Sequence, residues 1–192
     1  MLTFDEKLHQ YTVDGRVLPS VTSILSPLMN FSGIDPAVLE RARRLGTAVH
    51  TLTELHDKDD LDMDTLPPEL APYLSAWQRF RAECDFVPDT IECRLHHPGL
   101  AFAGTSDRTG VVRGARAVID IKKMATLGPV IGLQLAAYRE MHNLLGHAIT
   151  HRYALGLRVD GTYRLEPYTD PTDFAVFVSL LNIKNWRIKH GQ

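Results

Sequence analysis

The spacing of hydrophobic and polar residues changes several times along the chain. Residues 1–25 alternate around Asp14-Gly15, a dipeptide that favours a tight turn, and this predicts an N-terminal β-hairpin. Residues 36–56 carry apolar side chains at helical spacing behind Asp35-Pro36, a favourable helix start. A second helical pattern covers residues 69–86. The first half of the chain therefore predicts a hairpin followed by two helices.

The middle of the chain is rich in alternating and β-branched segments that Pro or Gly residues separate. These segments predict three strands, at residues 89–98, 100–110 and 115–124. Helical spacing returns over residues 128–146, where one face is predicted to carry the apolar residues Leu133, Ala137, Met141 and Leu144.

The C-terminal part predicts a second hairpin and a last helix. Residues 151–159 and 162–168 flank the turn dipeptide Asp160-Gly161, and Asp170-Pro171 is a favourable start for a helix through Lys189. The predicted order is ββ-α-α-β-β-β-α-β-β-α. This order predicts an α/β (α+β) fold with a mixed central β-sheet flanked by helices. We predict a single domain over residues 1–192, with the hairpin of about residues 1–25 as an extension.

Composition narrows the class of protein. The 192 residues carry 21 Lys and Arg against 23 Asp and Glu, so a nucleic-acid partner would need a local basic patch. Two cysteines are too few for a disulfide framework or an iron–sulfur cluster. No long apolar run and no signal-peptide pattern occur, which predicts a cytoplasmic protein without a membrane segment. Between Glu54 and Glu69 an acidic run predicts a solvated loop.

The strand predicted at residues 115–124 places charges on an apolar element. Alternation puts Asp120 and Lys122 together on the face opposite Ile119 and Ile121. Burying such charges is costly, so a mutual salt bridge, a metal ion or solvent must compensate them. Asp107 ends the preceding apolar strand after the small residues 104–106. Two carboxylates and an amine at one sheet edge are typical of Mg²⁺ sites that act on phosphates.

The order of these residues resembles the PD-(D/E)XK nuclease superfamily, in its RecB-type and phage-exonuclease branch. That branch carries G-x-x-x-H, an acid before the core hairpin, G-x-x-D, D-x-K and Q-x-x-x-Y. The corresponding residues are Gly46 to His50, Glu92, Gly104 to Asp107, Asp120 to Lys122, and Gln134 to Tyr138. Each motif alone is weak, whereas the ordered set is specific. The segment Pro19 to Thr22 also looks like the entry of phage exonucleases.

The resemblance implies a restriction-endonuclease-like core and a metal-dependent DNA exonuclease that hydrolyses phosphodiester bonds from DNA ends, in phage or prophage recombination or DNA processing. It implies Mg²⁺ or Mn²⁺ and no iron–sulfur cluster, since relatives that hold a cluster need four cysteines. The implied metal ligands are His50, Asp107, Asp120, the Ile121 carbonyl and, with a weaker match, Glu92. The implied catalytic residues are Asp107, Asp120, Lys122, Gln134 and Tyr138.

Basic residues outside these motifs are candidates for DNA backbone contacts. They are Arg41, Arg43, Arg44, Arg108 and Lys123, with Lys184, Arg187 and Lys189 near the C-terminus. Linear DNA with free ends is the expected partner, and a phage recombination or single-strand-binding protein is a candidate second partner. Two alternatives stay open: a catalytically silent DNA-binding or recombination-assembly module on the same fold, and a structure-specific endonuclease. The sequence also leaves open cleavage polarity and a homo-oligomeric state.

Overall fold

The structure, a computed structural model, describes residues 1–29, 32–123 and 127–192. Within these ranges the chain forms five α-helices, a three-stranded antiparallel sheet and a five-stranded mixed sheet. The predicted α+β class, with a mixed sheet and flanking helices, is therefore confirmed.

The N-terminal sheet has three strands where the sequence predicted two. Its strands are β1 (Leu2–Asp5), β2 (Gln10–Val13) and β3 (Arg16–Leu18), paired in that order. The additional strand arises because the residues between β1 and β2 also turn: the Leu8 amide donates to Asp5 Oδ1 at 3.0 Å, and His9 has a φ of 48°. The expected turn at Asp14-Gly15 joins β2 to β3, with φ values of 47° and 81°.

Four helices begin and end near the predicted residues, whereas the first lies within residues 1–25, for which only a hairpin was predicted, and is capped by Ser20 Oγ, which accepts the Ser23 amide. The helices are α1 (Val21–Leu25), α2 (Pro36–Asp57), α3 (Ala71–Glu83), α4 (Val130–Leu144) and α5 (Asp173–His190). Asp35 caps α2 as predicted, because its carboxylate accepts the amides of Ala37 and Val38. In the described ranges, no helix combines the length and apolar character needed to cross a membrane.

Two predicted helix ends are wrong for local reasons. Helix α3 stops at Glu83 because Asp85 has a φ of 48° and turns Phe86 back into the core. Helix α5 begins at Asp173, and Asp170 instead closes the turn before it by accepting the Thr172 amide at 2.8 Å.

The five-stranded sheet has its strands in chain order. They are β4 (Pro88–His97), β5 (Phe102–Val112), β6 (Ala115–Lys122), β7 (His151–Leu157) and β8 (Tyr163–Pro167). The pair β6–β7 is parallel and the other pairs are antiparallel. Helix α4 lies in the connection between the parallel strands, as such a crossover requires.

Each face of this sheet carries its own apolar core. Ala117, Ile119 and Ile121 of β6 pack with α2 and α3, around the neighbouring rings of Trp77 and Phe80. On the other side, Val118 packs with α1, α4 and α5. The predicted alternation along β6 is therefore confirmed.

The face predicted for α4 is only partly correct. Leu133, Ala137 and Met141 are buried in the second core, but Leu144 is 51% exposed because the helix ends there.

Strands β5 and β6 separate part-way along their length. They pair from Arg108 with Ile119 to Val112 with Ala115, and β5 continues towards Phe102 beside β4 alone. The chain after β3 reaches this free edge, where the Ala103 amide donates to the Pro19 carbonyl at 3.0 Å. The separation therefore opens the sheet and also anchors the N-terminal segment.

A fully buried histidine links α4 to β5. His142 Nε2 lies 2.8 Å from Ser106 Oγ, and the His147 ring lies 5.1 Å away. Burial, and to a lesser degree His147, lowers the pKa of His142 from 6.5 to about 4. Between these two values the unfolded chain binds a proton that the folded chain excludes.

The contribution of His142 to the free energy of unfolding should therefore be fully present above pH 6.5 and decrease as the pH falls towards 4. At about 1.4 kcal/mol per pKa unit, the loss from His142 between pH 7.5 and 4.5 is ~2–3 kcal/mol. Urea unfolding of the wild type and of His142→Gln at both pH values would measure it, since the difference between the two proteins isolates this histidine from other titrating groups. Equal acid sensitivity of the two proteins would contradict the prediction.

Candidate metal centre

Three predicted ligands converge beside the opening of the sheet. His50 Nδ1 lies 3.6 Å from Asp107 Oδ2 and 3.7 Å from Glu92 Oε1. One ligand atom from each residue lies within 4.8 Å of the others, so this group could hold a metal ion. An imidazole and two carboxylates are ligands typical of a divalent cation.

Each of the three side chains depends on a different backbone feature. His50 projects from α2. Glu92 has a φ of 46° within β4, a left-handed conformation that is costly for a residue with a Cβ and often marks functional sites. Asp107 lies where β5 leaves β6, and its Oδ2 accepts the Ile121 amide at 2.7 Å. At this opening, the Asp107 carboxylate therefore replaces the backbone partner that the Ile121 amide would have if β5 and β6 stayed paired.

Asp120 and Lys122 lie on β6 next to this group, but Asp120 is not part of it. Lys122 Nζ lies 2.7 Å from Asp120 Oδ2 and forms an ion pair with it. Gln134 Nε2 donates to Asp120 Oδ1 at 2.9 Å. The mutual salt bridge that the sequence left open is therefore present. Ile121 contributes its amide to Asp107, and its carbonyl stays a predicted ligand.

The charges of the centre shift the pKa values of its members. Burial lowers the pKa of His50, but the carboxylates of Asp107 and Glu92 outweigh it and raise the value to about 9. Burial raises the pKa of Asp120 to about 6, against the opposing effect of Lys122. The pKa of Lys122 is itself raised, because Asp120 and Asp107 outweigh its burial.

Gln134 and Tyr138 are both buried, although they are not among the residues of the predicted apolar face of α4. Tyr138 belongs to the same core as Leu133. The reason is that α4 packs between the sheet and other helices, so almost none of its faces is free. A Cβ at Gly104 would lie 2.8 Å from Tyr138 Cε1, so this glycine makes room for the tyrosine ring and not for a phosphate.

The centre opens into a cleft of about 720 Å³. Asp107, Asp120, Lys122, Gln134 and Tyr138 all line it, as does Glu92. Another part of the wall comes from the N-terminal sheet and its first turn, which the sequence predicts only as an extension. Its lining side chains are Phe4, Glu6, His9 and Tyr11. The close spacing of three ring-bearing residues in β1, β2 and the turn between them was the available signal.

The prediction that Arg108 contacts DNA is wrong. Its side chain is fully buried, with Nε 2.7 Å from Asp57 Oδ2 and Nη1 2.9 Å from Glu92 Oε1. Nη2 donates to Thr53 Oγ1 at 3.2 Å. Because Arg108 pairs with Ile119, its side chain lies on the sheet face that α2 and α3 cover, beside Trp77.

Asp57 lies next to the metal centre, a position that the sequence does not predict. It was read as part of a solvated acidic run, but its side chain has no exposed surface. Arg81 Nη1 and Trp77 Nε1 each donate to its Oδ1 at 3.0 Å. Arg81 and Arg108 thus compensate the buried Asp57 carboxylate, and Arg108 also binds Glu92.

The other predicted DNA contacts lie outside the residues that line the cleft. Arg41, Arg43 and Arg44 are exposed on α2, and Arg41 and Arg44 line a separate groove of about 620 Å³. The lysine and arginine side chains that do line the cleft, besides Lys122, are Lys58 and Arg94. Sequence reasoning did not select either of them.

Comparison with known proteins adds no assignment. The chain matches no model of a protein family, and no curated protein matches its sequence.

The buried Arg108 network generates a stability prediction. Arg108→Met leaves Asp57 and Glu92 with one cation fewer, and breaking a buried pair in this way costs about 3–5 kcal/mol. Arg116→Met is the matched control, because the Arg116–Asp89 pair at 3.0 Å is exposed and should contribute about 0–1 kcal/mol. Urea unfolding at pH 7.5 measures both. Similar losses in the two variants would show that the Arg108 network is not a principal constraint.

Proposed function

We propose that this protein is a metal-dependent deoxyribonuclease that hydrolyses phosphodiester bonds from the ends of linear DNA. The observation that supports it best is the convergence of His50 with Glu92 and Asp107, two carboxylates that line one cleft together with Asp120 and Lys122. The ordered motifs that resemble PD-(D/E)XK nucleases fall on these same residues. A role in phage or prophage DNA processing, in the cytoplasm of a bacterial host, follows from that resemblance.

The residues of the cleft fit a divalent cation. Asp120 is almost completely buried, and its Oδ2 has Lys122 Nζ at 2.7 Å as its compensating cation. Beside this pair, the carboxylates of Glu92 and Asp107 and the imidazole of His50 supply the oxygen and nitrogen ligands that a divalent cation takes. His50, Glu92 and Asp107 would hold the ion, with Asp120 facing the same cleft. When bound, the cation would polarise the scissile phosphate and lower the pKa of the attacking water. The imidazole favours Mn²⁺ over Mg²⁺.

The remaining side chains have distinct proposed roles. Gln134 fixes Asp120 through Oδ1, which leaves Oδ2 directed towards the lysine and the cleft. Lys122 orients the attacking water and stabilises the negative charge that grows on the phosphate. Tyr138 packs against Gly104 and keeps α4 at the distance that Gln134 needs.

Metal binding is the first measurable consequence. We expect isothermal titration of Mn²⁺ to give a single binding event in the wild type that is lost in Asp107→Asn and weakened in Glu92→Gln. Glu166→Gln is the control, because this acid lies on β8 with Arg164 and outside the cleft. Unchanged binding heat in Asp107→Asn would mean that the ligands are others.

Digestion of end-labelled DNA tests the activity itself. Linear DNA should be degraded with Mn²⁺ or Mg²⁺ and left intact with a chelator, while covalently closed circles should resist. Rapid linearisation of closed circles would favour the endonuclease alternative. Failure to cut any DNA form with either metal would favour the silent binding module.

A substitution of Lys122 distinguishes the enzyme from the silent binding module. In the silent module, the ion pair of Lys122 with Asp120 would have only a structural role. If the lysine stabilises the transition state, Lys122→Met should lower single-turnover cleavage by about 10²–10³. Mn²⁺ binding should persist, since the ammonium is not a ligand. The control Arg164→Met removes a basic residue of β8 that pairs with Glu166 and lies outside the residues that line the cleft. Equal cleavage rates for wild type and Lys122→Met would exclude the catalytic role.

A further inference from the structure

Aromatic side chains form part of the wall of the cleft beside the metal centre. The Phe4 ring centroid lies 4.5 Å from that of Tyr11 and 5.2 Å from that of His9. Tyr11 is buried, Phe4 is partly exposed and His9 is exposed. The rings therefore form a cluster whose base is anchored in the protein and whose outer members reach the cleft.

An arginine extends this cluster into the cleft. Arg94 Cζ lies 4.9 Å from the Phe4 centroid, and its side chain is 49% exposed. Arg94 Nη2 lies 3.2 Å from Glu6 Oε1, which fixes the guanidinium over the ring. Guanidinium planes and aromatic rings are the surfaces on which unpaired nucleobases stack, and the charge of the arginine also attracts phosphate.

The cluster is tied to the strands that carry the metal ligands. Tyr11 Oη lies 2.7 Å from Thr105 Oγ1, two residues before Asp107 on β5. Arg94 follows Glu92 by two residues on β4, a separation of about 7 Å along a strand. This separation is similar to the length that one nucleotide adds to a DNA strand. A phosphate bound through a cation at Glu92 and Asp107 would place an attached base beside Arg94.

We propose that Phe4, His9 and Arg94 form a nucleobase-binding subsite, which selects DNA whose terminal bases are unpaired. The proposal rests on the proposed nuclease function. In a duplex the faces of each base are covered by its neighbours, so only a single-stranded or frayed end presents a free face to this wall. The subsite is non-specific in sequence, because every base offers a π-face.

The test uses Lys122→Met as the parent protein, so that DNA is bound without being consumed. A single-stranded oligonucleotide with a terminal 2-aminopurine is titrated with the parent and with Phe4→Leu/His9→Ala in Mg²⁺. We expect fluorescence quenching on binding to the parent, and about tenfold or greater loss of single-strand affinity in the double variant. Binding to blunt duplex DNA should change by less than about twofold. Trp186→Leu is the control, because this exposed aromatic residue lies on α5 outside the cleft.

If the double variant binds the single strand and quenches its fluorescence as the parent does, the proposed subsite is wrong. It is also wrong if the double variant loses duplex binding and single-strand binding equally. Circular dichroism checks the fold of each variant. If the double variant is unfolded, Arg94→Gln alone carries the test, with the same expected preference for single strands. Cleavage by the wild type with unchanged 2-aminopurine binding would exclude only the subsite. Absence of cleavage under every condition would exclude the proposed function, whatever the fluorescence shows.

Discussion

A single buried guanidinium holds the centre of this molecule together. Arg108 is fully buried and bonds to Asp57 of α2, Glu92 of β4 and Thr53 of α2, while donating to the carbonyl of Asp107. An uncompensated charge at this depth would be far too costly, so the helix and both strands can pack only in the arrangement that supplies all its partners. That arrangement also fixes the position of Glu92, and with it the distance to His50.

The divergence of β5 from β6 is the second constraint. A sheet that stayed paired along its length would bury Asp107 against a neighbouring strand. Because pairing stops at Arg108, the Asp107 carboxylate accepts the Ile121 amide and still faces His50. The same edge accepts the segment after β3 through Ala103. One interruption of the ladder thus produces both the metal centre and the attachment of the N-terminal sheet.

Local pattern was enough to predict most elements, whereas the convergence of His50, Glu92 and Asp107 was implied by the resemblance to a nuclease family. The alternation along β6 identified its two faces, and the order of short motifs indicated which polar residues would meet. Pattern could not place Arg108 or Asp57, because their burial depends on one another across α2 and β5, and each alone resembles a solvated charge. It also could not reveal that Tyr11 contacts Thr105, since nothing local couples residues so far apart in the chain.

The assembly of the cleft from distant parts of the chain has a consequence for biosynthesis. The strands of the N-terminal sheet leave the ribosome before β4 to β8 and pair with one another through short turns, but their anchor on β5 is made much later. Strand β6 gains its parallel neighbour only after α4 has been synthesised. Gln134, which orients Asp120, also arrives after the metal ligands. A nascent chain therefore lacks the complete cleft until α4 has been synthesised.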